Sequence, residues 1–369
     1  MYDDTTFFSY DPFLYQVSKH RSRLFSMEQD GTFLHQRDIR YDFAPSCVLD
    51  LLVPRSLAQG HHESLPVLVC THGGGWVLNR KESMVQLART IMSLQDQEYT
   101  GRGRWVGNSR PSSPPFCIVV PSYRLSSFNN SVLNKLLAFE FLSCSALACL
   151  FPSILPLVVL ALLVMVLCIV VFAMVHLRVA VRHPVHVEDL ACVMKWVGRN
   201  AGVHSMDPSR TVLLGHSAGA HLVTLLATNN AFLRRFGVNP STIRGVVALS
   251  GVYSDKRLQE VPGGQEILDN VFGASGKHYR DCFPIYHCLP TSPPHLVCVS
   301  ELDFWLKKHA LDYVYALQQQ GVYVESVMAP KNNHFSVHKK WESDNFFMYK
   351  KTTGFCRQCI ALELSPPAD

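Results

Sequence analysis

A mostly parallel β-sheet covered on both faces by helices is the architecture this sequence predicts, and three observations predict it. Short, wholly apolar runs of strand length alternate with segments whose apolar residues recur at helical spacing. The stretch Gly215-His-Ser-Ala-Gly219 sits directly between one such run and one such helical segment. A second glycine cluster, His72-Gly-Gly-Gly-Trp76, follows another apolar run further upstream. Strands that alternate with helices return to the sheet through crossovers, which makes neighbouring strands parallel and buries both faces.

The elements follow in order. Cys47–Val53 and Leu65–Cys70 are apolar runs separated by a polar turn rich in Gly and His, and they read as a strand pair. Glu82–Leu94 has helical spacing, and 100–115 is a Gly/Arg/Ser/Pro surface loop. Phe116–Val120 is apolar throughout, as a strand covered on both faces should be. Val187–Val197 is helical in pattern, Thr211–Leu214 is a strand, and Ala218–Thr228 is the helix that follows it. Arg244–Leu249 and His295–Val299 are two further buried strands, with a helix at Lys308–Gln319 before a last strand at Val322–Val327. The resulting organisation has an N-terminal segment (1–40), a first part of the domain (41–131), an insertion (132–178), a second part carrying the chemistry (179–350) and a C-terminal tail (351–369).

With 369 residues and a mass of 41.5 kDa the chain is long enough to bury a large core. Charged residues make up 17%, against about 25% in typical soluble domains. The hydrophobic share of 48% argues against disorder and towards membrane contact. The net charge of +5 is spread along the chain, so nucleic acid is not an expected partner. Twelve cysteines are too few for a disulfide scaffold, and many sit in apolar runs where they read as small hydrophobes. The CxxC at Cys356–Cys359 has no second pair in metal-binding register and reads as a surface turn, and no metal is expected. The N-terminus lacks a basic region followed by an apolar core, so no cleaved signal peptide is expected.

Between Glu140 and Arg178 there is no Asp, Glu, Lys or Arg, and Leu157–Val175 is an unbroken apolar stretch of bilayer-spanning length. A globular helix is usually amphipathic, whereas this segment is apolar on every face. A single crossing would put strands of one sheet on opposite sides of a membrane. The chain is therefore expected to leave and return on one side, as a hairpin whose tip falls at Pro152–Pro156 or with a re-entrant or in-plane first arm. Lys135, Arg178 and Arg182 flank the segment and the tip carries no charge, which places the catalytic body in the cytosol. An endoplasmic reticulum or Golgi membrane is the expected setting, and the sequon Asn129-Asn-Ser131 would stay unglycosylated.

The Gly215–Gly219 motif places Ser217 at a strand-to-helix turn, where small neighbours let the chain pass closely and the hydroxyl projects above the sheet as a nucleophile. Acyl transfer builds negative charge on a carbonyl oxygen, and the N–H groups of Gly74, Gly75 and Ala218 are the expected oxyanion donors. A base must take the serine proton and an acid must orient the base, both later in the chain. Asp303, in the loop after His295–Val299, is the expected acid with Glu301 in reserve. His334, after the last strand, is the expected base, with His338 the alternative surface histidine. His221 reads as a packing residue, His216 flanks the turn, and His183 and His186 stand at the membrane boundary. No organic cofactor is needed for this chemistry.

With these residues in this order, the sequence resembles the α/β-hydrolase fold, and within it the hormone-sensitive-lipase-like esterases. Two narrower resemblances are to prenylcysteine methylesterases and to kynurenine formamidases. The pieces that carry them are His72–Trp76, Pro121-Ser-Tyr-Arg-Leu125, Val187-Glu-Asp-Leu190, Gly215–His221, Leu249-Ser-Gly-Val-Tyr253, Phe272-Gly273 and the Asp303 and His334 loops. The resemblance runs from about residue 40 to 345, apart from the 98–115 loop and the apolar insertion, where soluble relatives have a short connection. It implies a serine hydrolase of carboxylic esters. The insertion favours a lipidated-cysteine ester as substrate and a lipid bilayer as partner over a soluble formamide, and an inactive membrane scaffold is the remaining alternative.

Overall fold

The computed structural model describes residues 25–27, 31–55, 64–100, 114–127, 166, 181–273, 279–303 and 305–361. The insertion expected at 132–178, apart from residue 166, and the sequon at 129–131 lie outside the described residues, as does most of the 100–115 loop. Among the described residues no helix is long and apolar enough to cross a membrane.

The strands are β1 (Phe25–Met27), β2 (Phe33–Arg40), β3 (Val48–Pro54), β4 (Leu65–Thr71), β5 (Cys117–Pro121), β6 (Met206–His216), β7 (Ile243–Leu249), β8 (His295–Ser300) and β9 (Val324–Ala329). They form one nine-stranded sheet in the order β1-β2-β3-β5-β4-β6-β7-β8-β9. β5, β4 and β6 to β9 are parallel, and β1 to β3 add an antiparallel edge. The chain on either side of the expected insertion folds into this one sheet, because β5 and β6 both pair with β4.

The expected strand pair at 47–53 and 65–70 is corrected. Both segments are strands, but β5 lies between them, antiparallel to β3 (Leu51 opposite Val119) and parallel to β4 (Val67 opposite Cys117). A strand as apolar as β5 needs a hydrogen-bonded neighbour on each edge, and it takes them from β3 and β4. The N-terminal segment also contributes more than expected, since β2 pairs with β3 along most of its length.

The main helices are α1 (Glu82–Thr100), α2 (Val185–His204), α3 (Ala218–Thr228), α4 (Leu306–Gln319) and α5 (Phe346–Ala361). Alternate strand residues feed two layers. Val67, Val69, Val119 and Leu213 pack with α2 and α3, while Leu68, Cys70, Val120 and Leu214 pack with α1 and α5 on the opposite face. α5 enters the segment read as a tail. Cys356 and Cys359, expected in a surface turn, are buried in it, and a Cβ on Gly245 of β7 would lie 2.6 Å from the Cys359 sulfur. Every described cysteine is a free thiol.

Candidate active site

The site is assembled at the carboxyl ends of the parallel strands, where loops are free to project side chains above the sheet. Ser217 joins β6 to α3 with φ 55° and ψ −120°. This is a left-handed conformation that a side chain avoids unless its surroundings impose it. The flanking glycines show what imposes it. A Cβ on Gly215 would lie 2.4 Å from the Gly219 carbonyl oxygen, and one on Gly219 would lie 2.4 Å from the carbonyl oxygens of Thr71 and His72. The turn is thus pressed against β4, and only glycine fits at either shoulder.

The structure brings the expected acid and base to this serine. Ser217 Oγ–H donates to His334 Nε2 at 3.0 Å, and His334 Nδ1–H donates to Asp303 Oδ2 at 2.8 Å. Asp303 is nearly buried while His334 keeps an exposed edge. Glu301 is elsewhere, exposed and accepting from the Lys331 backbone N–H at 2.6 Å, so the reserve acid serves to join two loops. His338 stands against His216 with ring centroids 4.3 Å apart and does not reach the serine.

The loop after β4 forms the opposite wall. Gly74 and Gly75 have φ +117° and +58°, and Trp76 follows at 62°. A Cβ on Gly74 would lie 2.2 Å from the Leu78 carbonyl oxygen, whereas one on Gly75 would meet only Val77 at 4.0 Å. The Gly74 carbonyl is occupied by the Val77 and Leu78 N–H groups. Among the described residues the N–H groups of Gly74, Gly75 and Ala218 donate to no protein acceptor. Three donors beside a serine hydroxyl suit a developing oxyanion, and Ala218 adds the N-terminal dipole of α3.

Several supporting residues have no motif of their own. His216 Nε2–H donates to the His334 carbonyl oxygen at 2.7 Å, tying the base's backbone to the strand that carries the nucleophile. Burial, with His338 and His334 nearby, holds the His216 imidazole well below its usual range, so it stays neutral. The loop bearing His334 is held from behind by the buried pair Asn332 and Asn345, whose side chains bond each other and the carbonyl oxygens of Pro330, Ser336 and Lys339. Trp76 Nε1–H donates to His221 Nδ1 at 3.2 Å, and His221 Nε2–H donates to the Cys282 carbonyl oxygen at 2.7 Å. Burial pushes His221 down to about 3, which agrees with the packing role expected of it.

The remaining quoted segments brace these walls. Tyr123 stacks on His72 at 4.2 Å and donates to its carbonyl oxygen. Arg124 pairs with the buried Asp189 of α2 through its guanidinium and its backbone N–H. His186 lies in the interior against Ser126 Oγ at 3.1 Å, and His183 packs beside Phe272.

Comparison with known proteins agrees with this geometry. A family model described as the α/β-hydrolase fold matches residues 158–338, just under half of the chain. A curated relative, the probable carboxylic ester hydrolase LipM of Mycobacterium tuberculosis, is 27% identical over 124 residues, which are 31% of this chain. The chain spans only 29% of that relative's length. Among solved structures, a truncated carbohydrate esterase from gut microbiota superposes with a TM-score of 0.61 at 12% identity, covering 91% of this chain and all of that one. Esterase B from Lactobacillus rhamnosis gives 0.58 at 14% identity, covering 95% and 93%. The hyperthermophilic esterase from the archaeon Pyrobaculum calidifontis gives 0.52 at 18%, covering 85% and 80%. The chain has the α/β-hydrolase fold.

Proposed function

We propose that this protein is a serine hydrolase of carboxylic esters. The observation that carries the reading is the unbroken hydrogen-bonded line from Ser217 through His334 to Asp303 beside the glycine donors. The family match, the curated relative and the esterase structures support an ester-hydrolysing enzyme. In the reaction, His334 Nε2 takes the Ser217 proton as Oγ attacks the ester carbonyl carbon. The Gly74, Gly75 and Ala218 N–H groups receive the oxyanion. His334 then returns the proton to the departing alkoxide, leaving an acyl-serine. Water repeats the sequence with His334 as base, which releases the acid and restores Ser217. Asp303 holds the imidazole with its proton on Nδ1 and stabilises it when charged.

The substrate reading is a prenylcysteine methyl ester, hydrolysed by an enzyme anchored in the membrane through 132–178. The uncharged run Leu157–Val175 supports the anchor, and the sharing of one sheet by β5 and β6 supports departure and return on one side. The basic flanks Lys135, Arg178 and Arg182 support a cytosolic face, at the endoplasmic reticulum or Golgi. The test is a fluorophosphonate probe followed by a substrate panel. Labelling that disappears in Ser217→Ala supports the serine, and an unlabelled parent protein overturns it in favour of an inactive scaffold. Farnesylcysteine methyl ester should be turned over faster than short acyl esters or N-formylkynurenine. Faster turnover of the formamide would instead make this an amide hydrolase.

A further inference from the structure

The loops around the site expose charged residues such as Arg80, Glu301 and Lys331, and among them four large apolar side chains. Leu78 follows the glycine loop, Leu302 and Trp305 flank Asp303, and Phe335 follows His334, its ring 5.2 Å from the imidazole. All four are exposed, Phe335 at 70% and Trp305 at 54%. Phe43, exposed at 93%, belongs to the same end of the molecule. It lies in the turn before β3, and the start of that antiparallel strand meets the carboxyl end of β5 (Leu49 opposite Pro121). From β3 to β9 the rim therefore spans six strand spacings, about 29 Å at roughly 4.8 Å each. Large apolar side chains around a rim of this breadth mark a contact surface.

The chain itself indicates what covers the rim. The described residues stop at Ser127 and resume at Val181, residue 166 apart, and both junctions abut the site. Ser126 N–H donates to the Trp76 carbonyl oxygen at 2.8 Å, and Asn270 Nδ2–H donates to that of Ser127 at 2.7 Å. His183 N–H donates to the Val271 carbonyl oxygen at 2.8 Å, and the His183 ring packs on Phe272, which packs edge-on against Trp76. The described residues that flank the segment holding the uncharged Leu157–Val175 thus both lie at the mouth of the site.

We infer that the carboxyl-end rim of Phe43, Leu78, Leu302, Trp305 and Phe335 docks on the bilayer surface, so that the Ser217 hydroxyl opens onto lipid and takes amphiphilic esters directly from the membrane. This deepens, and rests on, the membrane-anchored reading above. Trp305 sits where an interfacial indole belongs, with one side on protein and the other at the headgroups.

The test uses the full chain reconstituted in phosphatidylcholine vesicles. Phe43→Ser, Leu302→Ser and Trp305→Ser are combined, and none of these residues touches the reacting atoms. Turnover of p-nitrophenyl palmitate in the vesicles should fall about tenfold or more, and turnover of water-soluble p-nitrophenyl acetate should stay within about twofold. Equal loss on both esters, or no loss on either, overturns the rim. As a second measure, the fluorescence lost in Trp305→Phe should be the fraction quenched by brominated lipid, and an unquenched Trp305 overturns the rim in a chain that still floats with the vesicles. A parent chain that does not float overturns rim and anchor together, while its Ser217-dependent hydrolysis of the acetate still measures the esterase reading by itself.

Discussion

The two ends of the sheet are built to different standards. Among the described residues, eight that are not glycine have positive φ, and six of them (Trp76, Asn79, Ser217, Ser250, Lys331 and Lys340) lie in loops that follow the carboxyl ends of strands. At the amino end Ser205 is left-handed, but it closes α2 by donating to the Ala201 carbonyl oxygen, an ordinary helix stop. Exposed apolar residues divide more evenly, with Phe43, Leu78, Leu302, Trp305 and Phe335 at the carboxyl end and four at the amino end. Those at the amino end, Tyr99, Val203, Leu289 and Tyr323, include two tyrosines, and Tyr323 donates to Glu325. Strain and exposed apolar surface both cost stability. The concentration of strained backbone at the carboxyl end identifies where the fold gives up stability for chemistry.

The sharpest way to break this contrast is at the nucleophile. Ser217→Ala and His334→Ala should each lower kcat for a p-nitrophenyl ester by about 10⁴-fold or more, with melting temperatures unchanged. Asp303→Asn should come close, also near 10⁴-fold, while Glu301→Gln stays within about threefold. The reverse ranking would return the acid's role to Glu301. At the glycine loop, Gly74→Ala places a methyl group on the Leu78 carbonyl and should cost about 10²- to 10³-fold. Gly75→Ala has open space and pays only for its backbone conformation, so it should be the milder of the pair. His216→Phe keeps a ring but loses the bond to the His334 carbonyl, and should lower kcat about tenfold with little change in KM. The smallest effect belongs to the amino end, where Val203→Ser should leave every rate within about twofold.

A pH scan sharpens the same contrast from the stability side. Burial holds His72, His295 and His309 down at about 4, and His186 and His221 at about 3. In the unfolded chain these rings titrate near roughly 6.5. Between those values the unfolded state binds more protons. Stability is therefore complete above pH 6.5 and falls as pH drops towards 4. Thermal melts at pH 7 and pH 5 should show a clear decrease, and equal midpoints would contradict the burial of these rings.

The triad was legible in the sequence because each member sits at a local landmark. Ser217 lies between an apolar run and a helix, and Asp303 and His334 each follow a strand, so chain order alone sets them above one sheet. The strand pairing was not legible, because neighbours in sequence are the natural guess and nothing in β3 or β4 announces that β5 inserts between them. β2 was hidden by its polar residues His35, Gln36 and Arg37. α5 was hidden by Lys350, Lys351 and two threonines, which mask the face bearing Met348, Phe355 and Cys359. The bond from His216 to a backbone carbonyl more than a hundred residues away has no counterpart in residue type, so only the folded chain reveals it.

The seating of α5 on β6 and β7 also bears on how the molecule is made. Cys359 fills the space left by Gly245, so the sheet that carries Ser217 is sealed on that face only after residue 359 has been synthesised. The segment 132–178 emerges long before, while β6 to β9 are still unmade. The catalytic body is thereby completed last, and the chain becomes able to cleave an ester only well after the segment 132–178 has been synthesised.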